Sequence, residues 1–156
     1  MRKEITPAHI VAGAAGGAVA IELMHVLSEH ASFPAVLVPF ATSIVLVMGT
    51  PNAEPAQPRA LVGGHLISTV VGLLTLSITG PSPWAAAFTV GVAMAVMHAT
   101  RTFHPPAGID PLIVVSHDMS WSFLVAPVAV GALLLAAYAW LWHNLVRREE
   151  WPARWW

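Results

Sequence analysis

Six apolar stretches, separated by short polar or proline-rich connections, make up most of the chain. An apolar run of about 20 residues is long enough to cross a bilayer as a helix. Four stretches approach or exceed this length, whereas the second and the fifth are short and interrupted by prolines. The pattern predicts an all-α integral membrane protein with four or more full transmembrane helices, and its segments comprise residues 7–27, 33–49, 60–79, 84–100, 105–116 and 121–146.

The composition supports a membrane protein and excludes several other classes. The chain is 56% hydrophobic and only 10% charged, whereas a soluble domain usually carries about a quarter charged residues. Its formal net charge of −1 offers no basic surface for nucleic acid, and the absence of cysteine excludes disulfides and thiolate metal sites. We expect one transmembrane domain over residues 1–156 in a lipid bilayer, with a core at 7–146 and a charged, Trp-rich tail at 147–156.

The basic residues indicate how the segments cross the membrane. Lys and Arg are enriched in the loops on the cytoplasmic side. With five crossings the bias between the two sides nearly vanishes, whereas with six crossings every basic residue falls on one side. The sequence therefore predicts six crossing elements and two cytoplasmic termini, from the positions of Arg2, Lys3, Arg59, Arg101, Arg147, Arg148 and Arg154.

A proline-rich break opens the fifth segment. Two consecutive prolines remove two backbone donors and disfavour helix in the residue before them. An irregular backbone is tolerated inside a membrane only where protein or a water-filled cavity surrounds it. The candidate substrate-pathway residues in this break are His104, Pro105, Pro106, Gly108 and Asp110.

Two of these residues have structural alternatives. His104 either caps the fifth segment or holds a backbone carbonyl, or it contacts the substrate or a proton. Asp110 either fixes the loop by accepting backbone N–H bonds, as Asp commonly does in turns, or takes part in transport. The sequence does not decide between the structural and the functional interpretation of either residue.

Further candidates lie inside the apolar segments or at their edges. Intramembrane ionisable residues are rare and usually functional, and histidine titrates near physiological pH, which suits proton coupling. His65 lies on a stripe of small and polar residues in the third segment, where it suits helix packing as well as function. Arg59 and Arg101 border proline breaks, where they would anchor the orientation or attract an anion. The candidates added here are Glu22, His25, Gly64, His65, His98, Arg59 and Arg101.

Two patterns bear on how the segments pack. Gly13 and Gly17 form a G-x-x-x-G pair suited to close helix contact. Segments two and five are both broken by proline, and each follows a helix with a histidine near its end, His25 or His98. Broken helices in corresponding places are typical of inverted repeats around a midplane transport site. An inverted repeat and a chance similarity are equally open.

Two motifs resemble those of a known family. Residues 48–68 read M-G-T-P-N-A-E-P-A-Q-P-R-A-L-V-G-G-H-L-I-S, and residues 102–108 read T-F-H-P-P-A-G. Together they resemble the HPP family of integral membrane proteins, which is named after the motif at His104, Pro105 and Pro106. The resemblance implies transport, with nitrite as the substrate proposed for plastid and cyanobacterial members, and usually four transmembrane helices. The chain resembles bacterial single-domain members, which implies the bacterial inner (plasma) membrane.

The expected function is a transporter or channel for a small inorganic anion, with nitrite as the leading candidate. Broken segments would point helix N-termini, which favour anions, into the membrane. Proton-coupled transport and passive conduction are both open. Six short segments would enclose a transport pathway with only a thin layer of protein, so we expect a homo-oligomer. We expect no cofactor.

Two other classes of function are alternatives. Imidazole and carboxylate groups suit divalent metals, although the sequence contains no H-x-x-x-H pair within a helix. A non-transporting scaffold or an intramembrane enzyme is the second alternative, but the sequence shows no nucleophile–base arrangement, so we expect no enzyme. The metal alternative would use His98, His104, Asp110, His117 and Asp118.

Overall fold

The computed structural model describes residues 6–31 and 37–155, and within these ranges it contains helices and turns but no β-strand. Proline stands in the first turn of several helices, where its missing N–H costs no hydrogen bond. The α-helices are α1 (Pro7–Ala31), α2 (Leu37–Gly49), α3 (Pro58–Thr79), α4 (Pro83–Ala99), α5 (Asp110–Ser116) and α6 (Val130–Leu141).

Shorter helical turns complete these elements. A 3₁₀ turn at Glu54–Ala56 precedes α3, and another at Pro105–Ile109 leads directly into α5. Two π-helical turns, Leu124–Ala129 and Trp142–Val146, extend α6 at both ends into one 23-residue helical rod. The sequence-based segments agree with this order, although the predicted start of segment two, residues 33–36, lies outside the described residues.

An all-α membrane protein is confirmed. Among the described residues, three helices are long and apolar enough to span a bilayer: residues 7–29, α3 and residues 124–146. Helix α4, with 17 residues, lies at the lower limit for a span. Segments two and five are short, as expected. Helix α2 has 13 residues, and α5 has seven residues and is only about 10 Å long. Four or more full crossings and the inverted repeat stay predictions.

Helix α3 lies at the centre and packs against α4, α5, α6 and the 3₁₀ turn at Pro105–Ile109. Its buried face contains Gly64 and four residues of the predicted stripe, His65, Ser68, Thr69 and Gly72, whereas the fifth, Thr75, is partly buried. Helix α1 packs mainly on α2, and the G-x-x-x-G pair faces this contact. A Cβ on Gly13 would lie 2.9 Å from the Met48 carbonyl oxygen, so glycine permits the close approach.

The described basic residues of three segments lie at one end of the bundle with the start of α1, whereas Arg2 and Lys3 lie outside the described residues. Nε2 of His9 lies 3.0 Å from Oε1 of Glu149 in the tail, and the Arg154 N–H donates to Oε1 of Gln57 at 3.2 Å. A guanidinium N–H of Arg59 donates to the Thr100 carbonyl at 2.8 Å. These contacts join the start of α1, the α2–α3 connection, the end of α4 and the tail, as an even number of crossing elements requires. The cytoplasmic location of this end stays a prediction.

The tail closes this end by burying one tryptophan. Trp151 is 2% exposed, lies beside the His143 ring and is bonded to the Asn144 side chain through its backbone. Trp151→Ala is expected to lower the free energy of unfolding by about 3 kcal/mol, the usual cost of emptying a buried tryptophan site. Thermal unfolding in detergent measures the change. Trp155→Ala is the matched control, because Trp155 is 61% exposed, and an equal loss in both variants would contradict the burial of Trp151.

Candidate functional site

A group of buried polar side chains lies where α2, α3 and the break before α5 meet. Ser43 comes from α2, His65 from α3, His104 from the residue before the 3₁₀ turn, and Asp110 from the first position of α5. The first three are 0% exposed and Asp110 is 1% exposed. We call these four side chains the central network.

The side chains of the central network form one continuous series of contacts at hydrogen-bonding distance. Oδ2 of Asp110 lies 2.7 Å from Nδ1 of His65, and Nε2 of His65 lies 2.9 Å from the Ser43 hydroxyl oxygen. The same hydroxyl lies 2.8 Å from Nε2 of His104, whose Nδ1 lies 2.7 Å from the Pro55 carbonyl oxygen. Carboxylate, imidazole, hydroxyl, imidazole and backbone carbonyl therefore follow one another without a gap.

Additional contacts hold Asp110 at one end of this series and the Ser43 hydroxyl at its centre. The hydroxyls of Ser68 and Thr69 also donate to Oδ2 of Asp110, at 3.1 and 3.4 Å. The Ser43 hydroxyl lies 2.9 Å from the Pro39 carbonyl oxygen one turn earlier on α2. Three polar side chains of α3 therefore surround this one carboxyl oxygen of Asp110.

Small residues on α3 let the network form. A Cβ on Gly64 would lie 2.6 Å from Cβ of His104 and 2.9 Å from the Thr102 carbonyl oxygen. A Cβ on Gly72 would lie 2.9 Å from Cα of Pro111, which places the start of α5 directly against α3. The two glycines thus bring the proline break within reach of the His65 side chain.

The proline pair determines the direction of His104. This residue has φ −128° and ψ 98°, as expected for a residue before proline. Its side chain makes no capping hydrogen bond within the described 3₁₀ turn, so the capping interpretation has no support. It holds a backbone carbonyl instead, that of Pro55, and also reaches Ser43.

The other residues of the break have different surroundings. Asp110 bonds to side chains of α3, so the hydrogen bonds that hold it extend beyond its own loop. Pro105 is exposed, and Pro106 and Gly108 are partly buried. Pro105 and Gly108 also border an apolar groove of about 320 Å³ between α4 and α5, together with Val90, Met94, Met97, Phe103, Ile109 and Leu112.

Several sequence-based candidates lie outside the central network. Glu22 is on an exposed face of α1, and exposed His25 is 3.4 Å from Glu29 and thus pairs one turn further along. Exposed His98 stacks on Phe103 at 3.9 Å between ring centroids. Arg59 contacts the end of α4, and exposed Arg101 lies in the adjoining turn. The structure does not bring these five side chains to the network.

The metal alternative finds no structural support in the described residues. They contain no group of three or more His, Asp or Glu side chains that could hold a metal ion. Nδ1 of His117 is 3.1 Å from the Ile113 carbonyl oxygen of its own helix. Asp118 is exposed in a turn with φ 51°, so of the five proposed ligands only His104 and Asp110 lie in the central network.

Ser43 is the residue that sequence reasoning missed. It is one serine in the apolar run of α2, one turn after Phe40, and nothing in its local pattern distinguishes it from a helix-packing residue. Phe40 itself stacks on His65 with ring centroids 4.4 Å apart. The importance of both residues arises from contacts with α3, which a linear pattern does not reveal.

The central network can exchange protons. Asp110, His65 and Ser43 follow the atom order of a hydrolase triad, in which carboxylate meets Nδ1 and the hydroxyl meets Nε2. Ser43, however, is enclosed and also contacts a second imidazole. A hydroxyl between two imidazoles is better arranged to pass a proton than to attack a substrate.

Comparison with known proteins places the chain in a family. Residues 2–152 match the family described as HPP, transmembrane region. The chain belongs to the HPP transmembrane family. The resemblance drawn from residues 48–68 and 102–108 is thereby confirmed, and the central network contains the histidine of the H-P-P motif.

Two relatives in Dictyostelium discoideum, each described as a transmembrane protein, are 36% and 34% identical to this HPP protein over 125 residues. The alignments cover 75% of this chain but 40% and 44% of the relatives, so the chain spans less than half of their length. No solved structure matches the chain.

Proposed function

We propose that this HPP protein transports a small inorganic anion across the membrane, with nitrite as the leading candidate, and that transport is coupled to protons at the central network. The observation that supports this is the complete burial of two imidazoles and a carboxylate at a helix break in a membrane protein. Intramembrane ionisable groups are costly and usually mark ion or proton pathways.

The charges of the network favour an anion over a cation. Two imidazoles face one carboxylate, so protonation of both imidazoles beside the ionised carboxylate gives the network a net charge of +1, which attracts an anion. The N-terminus of α5 does not supply this attraction, because Asp110 already occupies its first turn. The anion is therefore expected to respond to protonation of the histidines and not to a helix dipole.

We propose a transporter in preference to an enzyme or a scaffold. Ser43 is 0% exposed, and the groove beside Pro105 is lined by apolar residues, so neither the hydroxyl nor this groove offers a polar site to a hydrolytic substrate. A scaffold needs no buried charges, which lower stability unless they are paired. The exposed apolar faces of α1 and α4, with Val11, Trp84 and Phe88, suit lipid or a second copy of the chain, and a homo-oligomer stays part of this proposal.

Flux into liposomes containing the purified protein tests the function. Nitrite uptake is expected to exceed that of protein-free liposomes and to increase when the outside is more acidic than the inside. Uptake of nitrate and formate measures the selectivity among anions, and uptake of a divalent metal tests the alternative of metal transport. Absence of anion flux under every gradient would contradict the proposal, and metal flux without anion flux would replace it.

A further inference from the structure

Both histidines of the central network have Nδ1 beside an atom that accepts a hydrogen. The Pro55 carbonyl oxygen, 2.7 Å from Nδ1 of His104, has no hydrogen to donate. Oδ2 of Asp110 already accepts from the hydroxyls of Ser68 and Thr69, and it lies 2.7 Å from Nδ1 of His65. Both Nδ1 atoms therefore carry hydrogen, so that each ring, when neutral, has an acceptor at Nε2.

The two Nε2 atoms compete for one hydrogen. They lie 2.9 and 2.8 Å from the same Ser43 hydroxyl oxygen, and a hydroxyl has a single hydrogen to donate. If both rings are neutral, one Nε2 lone pair faces an oxygen lone pair in a fully buried site. Leaving a buried polar atom without a partner is costly.

We propose that His65, Ser43 and His104 share one additional proton, which the Ser43 hydroxyl passes between the two rings. One imidazolium then satisfies every Nε2 contact and balances the charge of Asp110. The inference rests on the proposed function for the role of this proton in anion transport, whereas the proton site itself follows from the contacts.

The transfer is balanced without any other reactant. In the starting state His65 is the imidazolium beside Asp110, its Nε2–H donates to Ser43, and Ser43 donates to Nε2 of His104. The His65 N–H bond breaks as its proton joins the Ser43 oxygen, while the original hydroxyl proton forms a new N–H bond on His104. The positive charge has then moved from His65 to His104, and Ser43 is again a neutral hydroxyl that donates to His65.

The network has room for a second proton. With both rings protonated, Ser43 accepts from both Nε2–H groups and turns its own hydrogen to the Pro39 carbonyl oxygen, 2.9 Å away. This state satisfies all the contacts and carries a net charge of +1. In the described part of the chain, the titratable groups hydrogen-bonded within the network are His65, His104 and Asp110, so these groups set its charge.

Nitrogen NMR of histidine tests the proton site independently of transport. Protein with ¹⁵N-labelled histidine is placed in lipid nanodiscs, and the two rings are assigned with His65→Gln and His104→Gln. Between about pH 6 and pH 8, both Nδ1 atoms are expected to be protonated, with one further proton on the two Nε2 atoms together. Two neutral rings with hydrogen on Nδ1, or a neutral ring with hydrogen on Nε2, would overturn the proposal.

Ser43→Ala tests the transfer group. Removal of the hydroxyl is expected to slow proton-driven nitrite flux by about tenfold or more, since positioned proton transfer contributes at least this much, while both rings keep hydrogen on Nδ1. Thr89→Val is the matched control, because Thr89 is also 0% exposed but bonds to the Ala85 carbonyl of its own helix.

The two experiments separate the two proposals. Wild-type protein that shows the shared proton but moves no anion would contradict the proposed function and leave the proton site intact. Nitrite flux with two neutral rings, or unchanged flux in folded Ser43→Ala, would overturn the relay and leave transport intact. The NMR measurement on the wild-type protein does not use Ser43→Ala, so it decides the question even if that variant fails to fold.

Discussion

Asp110→Asn is expected to lower proton-driven anion flux about a hundredfold, which corresponds to about 2.8 kcal/mol. Asparagine has the same size and keeps an acceptor for Ser68 and Thr69, but it carries no charge. An imidazolium at His65 would then be buried without its partner, and removing one partner of a buried ion pair costs about 3–5 kcal/mol. His65 is expected to lose its proton instead, which empties the relay.

Liposome flux with and without a proton gradient measures this effect. Asp118→Asn is the matched control, because Asp118 is exposed in a turn with φ 51°, a conformation that asparagine tolerates. The control is expected to retain wild-type flux. Wild-type flux and pH dependence in folded Asp110→Asn would remove the carboxylate from the mechanism and leave it a packing role.

Gly64→Ala is expected to lower the free energy of unfolding by about 3 kcal/mol, at the upper end for overpacking of a core. The new methyl would lie 2.6 Å from Cβ of His104 and 2.9 Å from the Thr102 carbonyl oxygen. Neither atom is the end of a flexible side chain, so the backbone before the 3₁₀ turn must move away from α3. This movement would also withdraw His104 from Ser43, and flux is expected to fall with stability.

Thermal unfolding in detergent and liposome flux, measured on the same preparation, test this prediction. Gly91→Ala on α4 is the control, because no described atom lies within 4 Å of the added carbon. Its stability is expected to be unchanged or about 0.5–1 kcal/mol higher, as alanine replaces glycine within a helix. Equal stability of Gly64→Ala and Gly91→Ala would contradict the close contact between α3 and His104.

Much of the fold follows from the sequence. Apolar runs gave the order of the helices, and the proline pair indicated that segment five would be a short helix behind a turn. The stripe on α3 indicated which face is buried, because His65, Ser68 and Gly72 recur at helical spacing. Distances between helices did not follow, since they depend on contacts between residues far apart in the chain.

The site was predictable only in part. His65, His104 and Asp110 could be selected because ionisable residues in an apolar segment are costly. The same reasoning selected Glu22, yet it is exposed on α1, because cost alone does not tell which face of a helix meets a neighbour. Ser43 carries no charge and costs little in an apolar run, so no sequence signal distinguishes it from a hydroxyl that bonds to its own helix.

The position of Ser43 makes the connection between the two rings depend on how α2 is placed. Its hydroxyl belongs to α2, whereas its imidazole partners belong to α3 and to the connection after α4. Contacts of 2.9 and 2.8 Å cease to be hydrogen bonds when they lengthen by about 1 Å. Under the proposed relay, a conformation that moves α2 away from both α3 and the connection after α4 would disconnect both rings at once and interrupt proton transfer along this route.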